Sequence, residues 1–191
     1  MKLISVGEFM TLEEVLDCAE GVFRNNGFKN VFKKQIELEE RRCNRVLIAT
    51  SNLGTNLRYA DVVYSVCHVG GDEHLEIFRF DVEVDGPAVT EHFLRLCEYV
   101  SLIAPYLLLG ALWVVRGECN VRIHLSYDAV VNPDLGEAFV RSLVSFVLSA
   151  LSADLVLLAG RFFEIAVGSF EILENEGLFK EDLERLGCFR N

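Results

Sequence analysis

The segment from Phe139 to Ala159 constrains the fold more than any other part of the sequence, because it is apolar on more than one face of a helix. One helical stripe holds Phe139, Leu143, Phe146 and Leu151, and much of the remaining circumference holds Val140, Val144, Val147 and Leu148. An ordinary surface helix has a single apolar stripe. We therefore expect a buried helix over residues 135–158, covered on two sides by a sheet and by either the C-terminal segment or a second subunit.

The same segment is long enough to cross a bilayer, so a membrane span has to be weighed against a buried helix. Arg141, Asp154 and four serines interrupt the apolar run. Charged residues within a span are costly, and no flanking basic cluster sets an orientation. The sequence therefore favours a buried helix and predicts no membrane partner.

Two patterns predict the first half of the fold. Thr11 and Glu14 form a Thr-x-x-Glu capping box, followed by apolar residues at helical spacing as far as Asn25. Residues 31–39 and 45–50 predict a strand hairpin. Residues 61–69 predict a third strand, with a turn at 70–72 before a strand in which Phe78, Phe80, Val82 and Val84 alternate with polar residues.

The second half of the sequence shows the same kinds of pattern. Apolar residues from Phe93 to Ala104 recur at helical spacing and predict a helix that opens near Thr90 and ends near Pro105. A hairpin follows, with a strand over 111–115 and a strand whose inward residues are Val121, Ile123, Leu125 and Tyr127. An Asn cap with proline at the first helical position, residues 132–134, predicts the start of the third helix.

Together these elements predict an α+β fold in the order α-β-β-β-β-α-β-β-α. We expect an antiparallel sheet of about five or six strands, with helices packed on one face, in a single domain over residues 1–160. Residues 161–191 are predicted to be a C-terminal helical extension packed on it. In that extension we expect one helix from Phe162 to Ile172 and a short last helix over residues 180–186.

The excess of acidic over basic residues limits the kinds of partner that the protein can bind. Lys and Arg number 18 against 29 Asp and Glu, which gives a formal net charge of -11. Such a field repels phosphate backbones and anionic lipid surfaces. The sequence therefore predicts no nucleic-acid partner. The acidic residues alternate with core positions on the strands, which is typical of a solvated shell.

The six cysteines are evenly spread and form no C-x-x-C pair, and the opening MKLISVGEFMTLEE does not resemble a secretory signal. Both observations predict a cytoplasmic protein with free thiols, although an even number of cysteines leaves a disulfide framework open.

The sequence contains no recognisable constellation for catalysis. None of the four histidines lies in a metal-binding spacing, and the glycines form no phosphate-binding loop. Lys29, Lys33 and Lys34 are most simply a solvated strand edge that discourages strand addition. We therefore predict no catalytic, cofactor-binding or metal-ligating residues, and no cofactor.

A family resemblance is carried by two segments. One is FRFDVEVDGPAVTEHFLRLCEYVSLIA, a strand followed by a helix, and the other is LWVVRGECNVRIHLSYDAVVNPDLGEAFVRSLVSFVLSAL, a hairpin leading through a polar break into a helix. Their order resembles the YbjN-like family and the related type III secretion chaperone fold, over residues 11–158. The resemblance implies binding of a partner polypeptide and a role as a dimer or regulator, without catalysis, and no functional residue carries over.

The sequence thus predicts a non-catalytic protein-binding module, chaperone-like or regulatory, which binds an extended or disordered polypeptide. We expect a homodimer through the third or second helix, because the third has too much apolar surface for one neighbour. The candidate interface consists of Phe139, Leu143, Phe146, Val147 and Leu151. The alternative is an enzyme or small-molecule-binding protein with a site assembled from dispersed residues, which would need a pocket with convergent polar groups.

Overall fold

The structure is a computed structural model, and it describes residues 10–38, 42–51, 62–72, 75–85, 92–117 and 120–185. Its helices are α1 (Leu12–Asn25), α2 (Phe93–Ile103), α3 (Glu137–Ala166), α4 (Glu171–Glu174) and α5 (Glu176–Arg185). Its strands are β1 (Lys29–Leu38), β2 (Arg42–Ser51), β3 (Val62–Gly71), β4 (Glu76–Asp85), β5 (Ala111–Arg116) and β6 (Val121–Val131). The predicted order of elements through the third helix is confirmed.

The six strands form one sheet in the order β1-β2-β3-β4-β6-β5. The hairpin predicted at the start of the sheet is present, with Lys33 of β1 opposite Leu47 of β2 in an antiparallel pair. The last two strands also pair antiparallel, with Trp113 opposite His124. The predicted α+β class with an antiparallel sheet and C-terminal helices is therefore confirmed.

The capping box predicted for α1 forms with both of its hydrogen bonds. The Glu14 amide donates to the Thr11 hydroxyl oxygen at 3.3 Å, and the Thr11 amide donates to the Glu14 carboxylate at 2.6 Å. These bonds satisfy donors that a helix start otherwise leaves unpaired. The helix ends before Gly27, whose φ of 79° suits glycine and terminates the turn.

The predicted strand alternation holds along β4 and β6. Phe78, Phe80, Val82 and Val84 are all buried, whereas Arg79 between them is exposed. On β6 the buried residues include Val121, Ile123 and Leu125, but Tyr127 is only half-buried. The alternation then resumes with Ala129 and Val131. One face of each of these strands therefore contributes to a core.

The turn between β3 and β4 lies later than predicted. Gly70 and Gly71 belong to β3, and the connection begins at Asp72. The Asp72 amide donates to the Leu75 carbonyl at 2.8 Å, and the Asp72 carboxylate accepts the Leu75 amide at 2.9 Å. An aspartate side chain that binds nearby backbone favours a turn at its own position. The predicted turn at 70–72 is wrong by about two residues.

The predicted Asn cap is present, but it caps a different element. The Asn132 side chain accepts the Asp134 amide at 2.9 Å, and Pro133–Leu135 form a short 3₁₀ turn. Gly136, with φ 78°, then separates this turn from α3, which begins at Glu137. The prediction that residues 132–134 open the third helix is therefore wrong, because Gly136 redirects the backbone first.

The third helix is longer than predicted and continues through Gly160 to Ala166. The prediction of an end near Leu158 and a separate helix from Phe162 is wrong. One glycine inside a helix costs about 1 kcal/mol, and the buried residues Phe162 and Ile165 continue the apolar packing. The boundary predicted between residues 160 and 161 thus lies inside α3, and the chain turns only at Gly168, with φ 96°.

The chain divides into two compact units, and β4, β6 and α3 each contribute residues to both. The first unit comprises Met1–Ser51, Val63–Asp81 and Tyr127–Ser149. Its core contains an aromatic cluster in which Phe28 lies 4.8 Å, centroid to centroid, from both Phe23 and Tyr64. Edge-to-face rings at this separation attract one another beyond their buried area. This cluster anchors the end of α1 to β3.

The second unit comprises Asn52–Val62, Val82–Ser126 and Ala150–Asn191. Here the Tyr99 hydroxyl of α2 lies 3.4 Å from the carbonyl oxygens of Leu157 and Leu158 in α3. The C-terminal helices belong to this unit, where the Phe170 ring lies 5.0 Å from the His92 ring and the Phe179 ring lies 5.9 Å from the Tyr106 ring.

Candidate interaction surface

Helix α3 presents an apolar face to solvent. Phe139 is 39% exposed and Phe146 is 60% exposed, although both belong to a helix that supplies much of the core. They lie one heptad apart, so they project from the same side of the helix. Ser142 and Ser149, also exposed, fall between and after them. We call Phe139, Ser142, Phe146 and Ser149 the α3 seam.

Helix geometry explains why these four residues share a side. At 3.6 residues per turn they fall within an arc of about 80°. The α3 seam is therefore a continuous strip of alternating large and small side chains.

The predicted interface residues do not all belong to this strip. Val147 and Leu151 are both 0% exposed, and Leu143 is half-buried. In the single chain, only Phe139 and Phe146 of the five present substantial surface. Val147 and Leu151 therefore lie on the side of α3 that the core covers.

The α3 seam carries no charge. Within residues 137–158, all of which the structure describes, the charged residues are Glu137, Arg141 and Asp154. Glu137 and Arg141 form an ion pair with each other, off the seam. Asp154 is 1% exposed and accepts the amides of Leu108 and Leu109 at 2.6 and 3.1 Å. A partner on the seam would therefore meet only apolar and hydroxyl groups.

A cleft of about 430 Å³ lies in the first unit and is the candidate site for the alternative function, the binding or conversion of a small molecule. It is lined by Met10, Glu14, Asp17, Cys18, Gly136, Glu137 and Arg141. Its charged groups already have partners: Glu14 accepts from Thr11, Asp17 pairs with Lys33, and Glu137 pairs with Arg141. A binding site for a small molecule needs polar groups that converge on the ligand. The charged groups of this cleft are instead engaged by Thr11, by Lys33 and, for Glu137 and Arg141, by each other.

The cleft also contains a thiol, which burial makes a poor nucleophile. Cys18 is buried, and its sulfur lies 3.9 Å from the Glu137 carbonyl oxygen. Burial raises the pKa of Cys18, and nearby Arg141 offsets this only in part. Burial likewise raises the pKa values of Cys67 and Cys97. Reactive cysteines have lowered pKa values, so these three free thiols lack that mark of catalysis.

The histidines that the structure describes serve separate local contacts. His68 lies 2.6 Å from the Glu76 carboxylate, and His124 stacks on Trp113 with ring centroids 5.7 Å apart. His92 contacts Phe170, and His74 lies outside the described residues. Within the described part of the chain, no three His, Cys, Asp or Glu side chains are grouped as they would be around a metal ion.

The β1 edge of the sheet is less suited to a partner than α3. β1 is an edge strand, and Lys29 and Lys34 on it are exposed. Lysines on an edge discourage the addition of another strand. Lys33 turns instead toward α1, where its amino group lies 3.0 Å from Glu13 and also pairs with Asp17. The exposed aromatic residues of α3 have no such charged neighbours on the seam.

Helix α3 also contains a stretch, Glu137–Leu158, that is long and apolar enough to cross a membrane by length and composition. Half of that window is buried inside the protein, and core helices of soluble proteins share these properties. The stretch is therefore weak evidence for a membrane span.

Searches among known proteins found no family model, no curated protein and no solved structure that matches the chain. The resemblance to the YbjN-like family and the type III secretion chaperone fold stays a prediction.

Proposed function

We propose that this protein is a non-catalytic binding module, chaperone-like or regulatory, that engages a polypeptide through the α3 seam. The observation that carries the proposal is the exposure of Phe139 and Phe146 on one side of a helix that also supplies Val140, Val144 and Val147 to the core. Aromatic residues are enriched in the buried centres of protein interfaces. Two on one helix face, a heptad apart, form the repeated anchor that helix-binding partners use.

The paired charges of the cleft and the raised pKa values of the described thiols favour a binding role over a catalytic one. The charged groups of the cleft have partners, and the described thiols have raised pKa values. A disordered segment could fold along the seam as an amphipathic helix, which needs no catalytic group on either side. The absence of charge on the seam predicts that such a segment offers an apolar face.

Site-specific photo-crosslinking tests this proposal in the cell that makes the protein. The photoreactive residue p-benzoylphenylalanine replaces Phe146 in one variant and Leu94 in a control, since Leu94 of α2 is 81% exposed. We expect discrete protein adducts at position 146 that position 94 does not give. If irradiation yields no discrete adduct at 146, or the same adducts at both positions, the proposal is wrong.

A further inference from the structure

The α3 seam alternates large and small residues in an order that fits a copy of itself. Along the helix the exposed residues are Phe139, Ser142, Phe146 and Ser149. Phe139 and Ser149 lie equally far on either side of Val144, and so do Ser142 and Phe146. Two such helices running antiparallel, with their two-fold axis level with Val144, would place each phenylalanine opposite a serine. Such a contact is isologous, with the same patch on both copies.

We infer, building on the proposed function, that the polypeptide covering the α3 seam is a second copy of this chain. The two α3 helices pack antiparallel, with Phe146 of each copy against Ser142 of the other, and Phe139 of each against Ser149 of the other. In antiparallel helix pairs a large side chain packs well where the facing residue is small, because side chains interdigitate without voids. A parallel pair would place Phe146 against Phe146 and Ser142 against Ser142.

The absence of charge on the α3 seam favours a second copy of this chain over a basic partner. The chain carries a formal charge of -11, yet the seam carries none, and Glu137 beside it is paired with Arg141. A basic partner would find no free carboxylate on the seam, whereas a second copy brings an equally neutral surface. Since two copies repel through their net charge, we expect association to strengthen as salt rises.

The length of the helix contact limits how strong the proposed dimer can be. In this register the facing residues run from Phe139 to Ser149, over which the helix rises roughly 15 Å, so a contact along it alone buries much less than the roughly 1,200 Å² of a stable interface. The dimer should therefore be weak and depend on concentration. Measurements have to span about 1 μM to 1 mM.

Exchanging the large and small residues tests the register. Sedimentation equilibrium would compare the full chain with S142F, F146S and the double variant S142F/F146S. Each single change should weaken the dimer at least about tenfold, one by overpacking and the other by leaving a void. The double variant restores a phenylalanine opposite a serine and should dimerise better than either single variant. The matched control L94S alters an exposed apolar residue of α2 and should dimerise like the unaltered protein.

Two results would overturn the inference. One is an unaltered protein that stays monomeric at about 1 mM, and the other is a double variant weaker than both single variants. Because the altered residues are exposed, circular dichroism should show all variants folded. A single variant that does unfold is replaced by S149F with F139S, which tests the second contact of the same register.

The crosslink at position 146 separates this inference from the proposed function. An adduct of this chain with itself, mapped near Ser142, supports both. An adduct with a different protein supports the proposed function and overturns the second copy as occupant. A lipid adduct, or none, overturns both.

Discussion

Arg79 on β4 binds Asp128 on β6 through two parallel hydrogen bonds, of 2.7 and 2.8 Å. Both side chains are nearly half exposed, so water screens much of the attraction. The bidentate geometry nevertheless orients the pair better than a single contact would. This link ties together the two neighbouring strands, β4 and β6, between which α2 intervenes in sequence.

The first prediction concerns the strength of this pair. A double-mutant cycle with R79Q and D128N should give a coupling free energy of about 0.5 to 1 kcal/mol. The cycle is read from urea unfolding at low and high salt, and the coupling should shrink with salt. A coupling indistinguishable from zero at low salt would show that the bidentate geometry contributes nothing to stability.

A second prediction concerns the amides that Asp154 binds. Replacement of Asp154 by alanine leaves the Leu108 and Leu109 amides without their acceptor, and should lower the free energy of unfolding by about 2 to 3 kcal/mol. The control is S149A in the same helix, since Ser149 is exposed and the change should cost little. Equal stability of the two variants in urea unfolding would mean that water replaces the carboxylate at those amides.

The third prediction is that Asp154 and Asp128 give opposite pH dependences. Burial raises the pKa of Asp154 above its ordinary value of 3.8, although the two amides offset part of this rise. The hydrogen bonds from Arg79 lower the pKa of Asp128. A raised folded-state pKa gives stability that is full below the unfolded-state pKa and is lost as pH rises through the folded one, and a lowered pKa does the reverse.

The stability of the unaltered protein relative to D154N should therefore fall as pH rises above about 4. Its stability relative to D128N should instead fall as pH drops below about 4. Urea unfolding at a series of pH values measures both differences. If the difference from D154N grows with pH, the two amides outweigh burial at this carboxylate.

A fourth prediction concerns the thiols. Alkylation of the native protein, followed by mass spectrometry across pH, should show inflections above the ordinary thiol value of 9.0 for Cys18, Cys67 and Cys97. Cys18 should react most slowly, because it is the most buried of the three. An inflection below about 8 at any of them would mark an activated thiol and revive the enzymatic alternative.

Periodicity in the sequence predicted the elements whose signals are local. The capping box at Thr11 and Glu14 and the alternation of Phe78, Phe80, Val82 and Val84 each depend on neighbours along the chain, and both are confirmed. The length of α3 differs from the prediction because the boundary expected between residues 160 and 161 falls inside the helix, where burial of Phe162 and Ile165 offsets the cost of Gly160.

The α3 seam could be predicted only in part. Helical spacing tells which residues share a side, but not which side the rest of the fold covers. Hence the sequence predicts Phe139 and Phe146 together with Val147 and Leu151, and only tertiary packing separates the exposed pair from the buried one. The serines of the seam carry no apolar signal, and their role depends on what faces them.

The stack of Trp113 on His124 gives this protein a built-in optical reporter. Trp113 is the only tryptophan in the sequence, and its ring lies nearly parallel to the imidazole, with an interplanar angle of 2°. All indole fluorescence therefore comes from the β5–β6 hairpin. A change in emission during unfolding marks the separation of these two rings, while circular dichroism follows the helices.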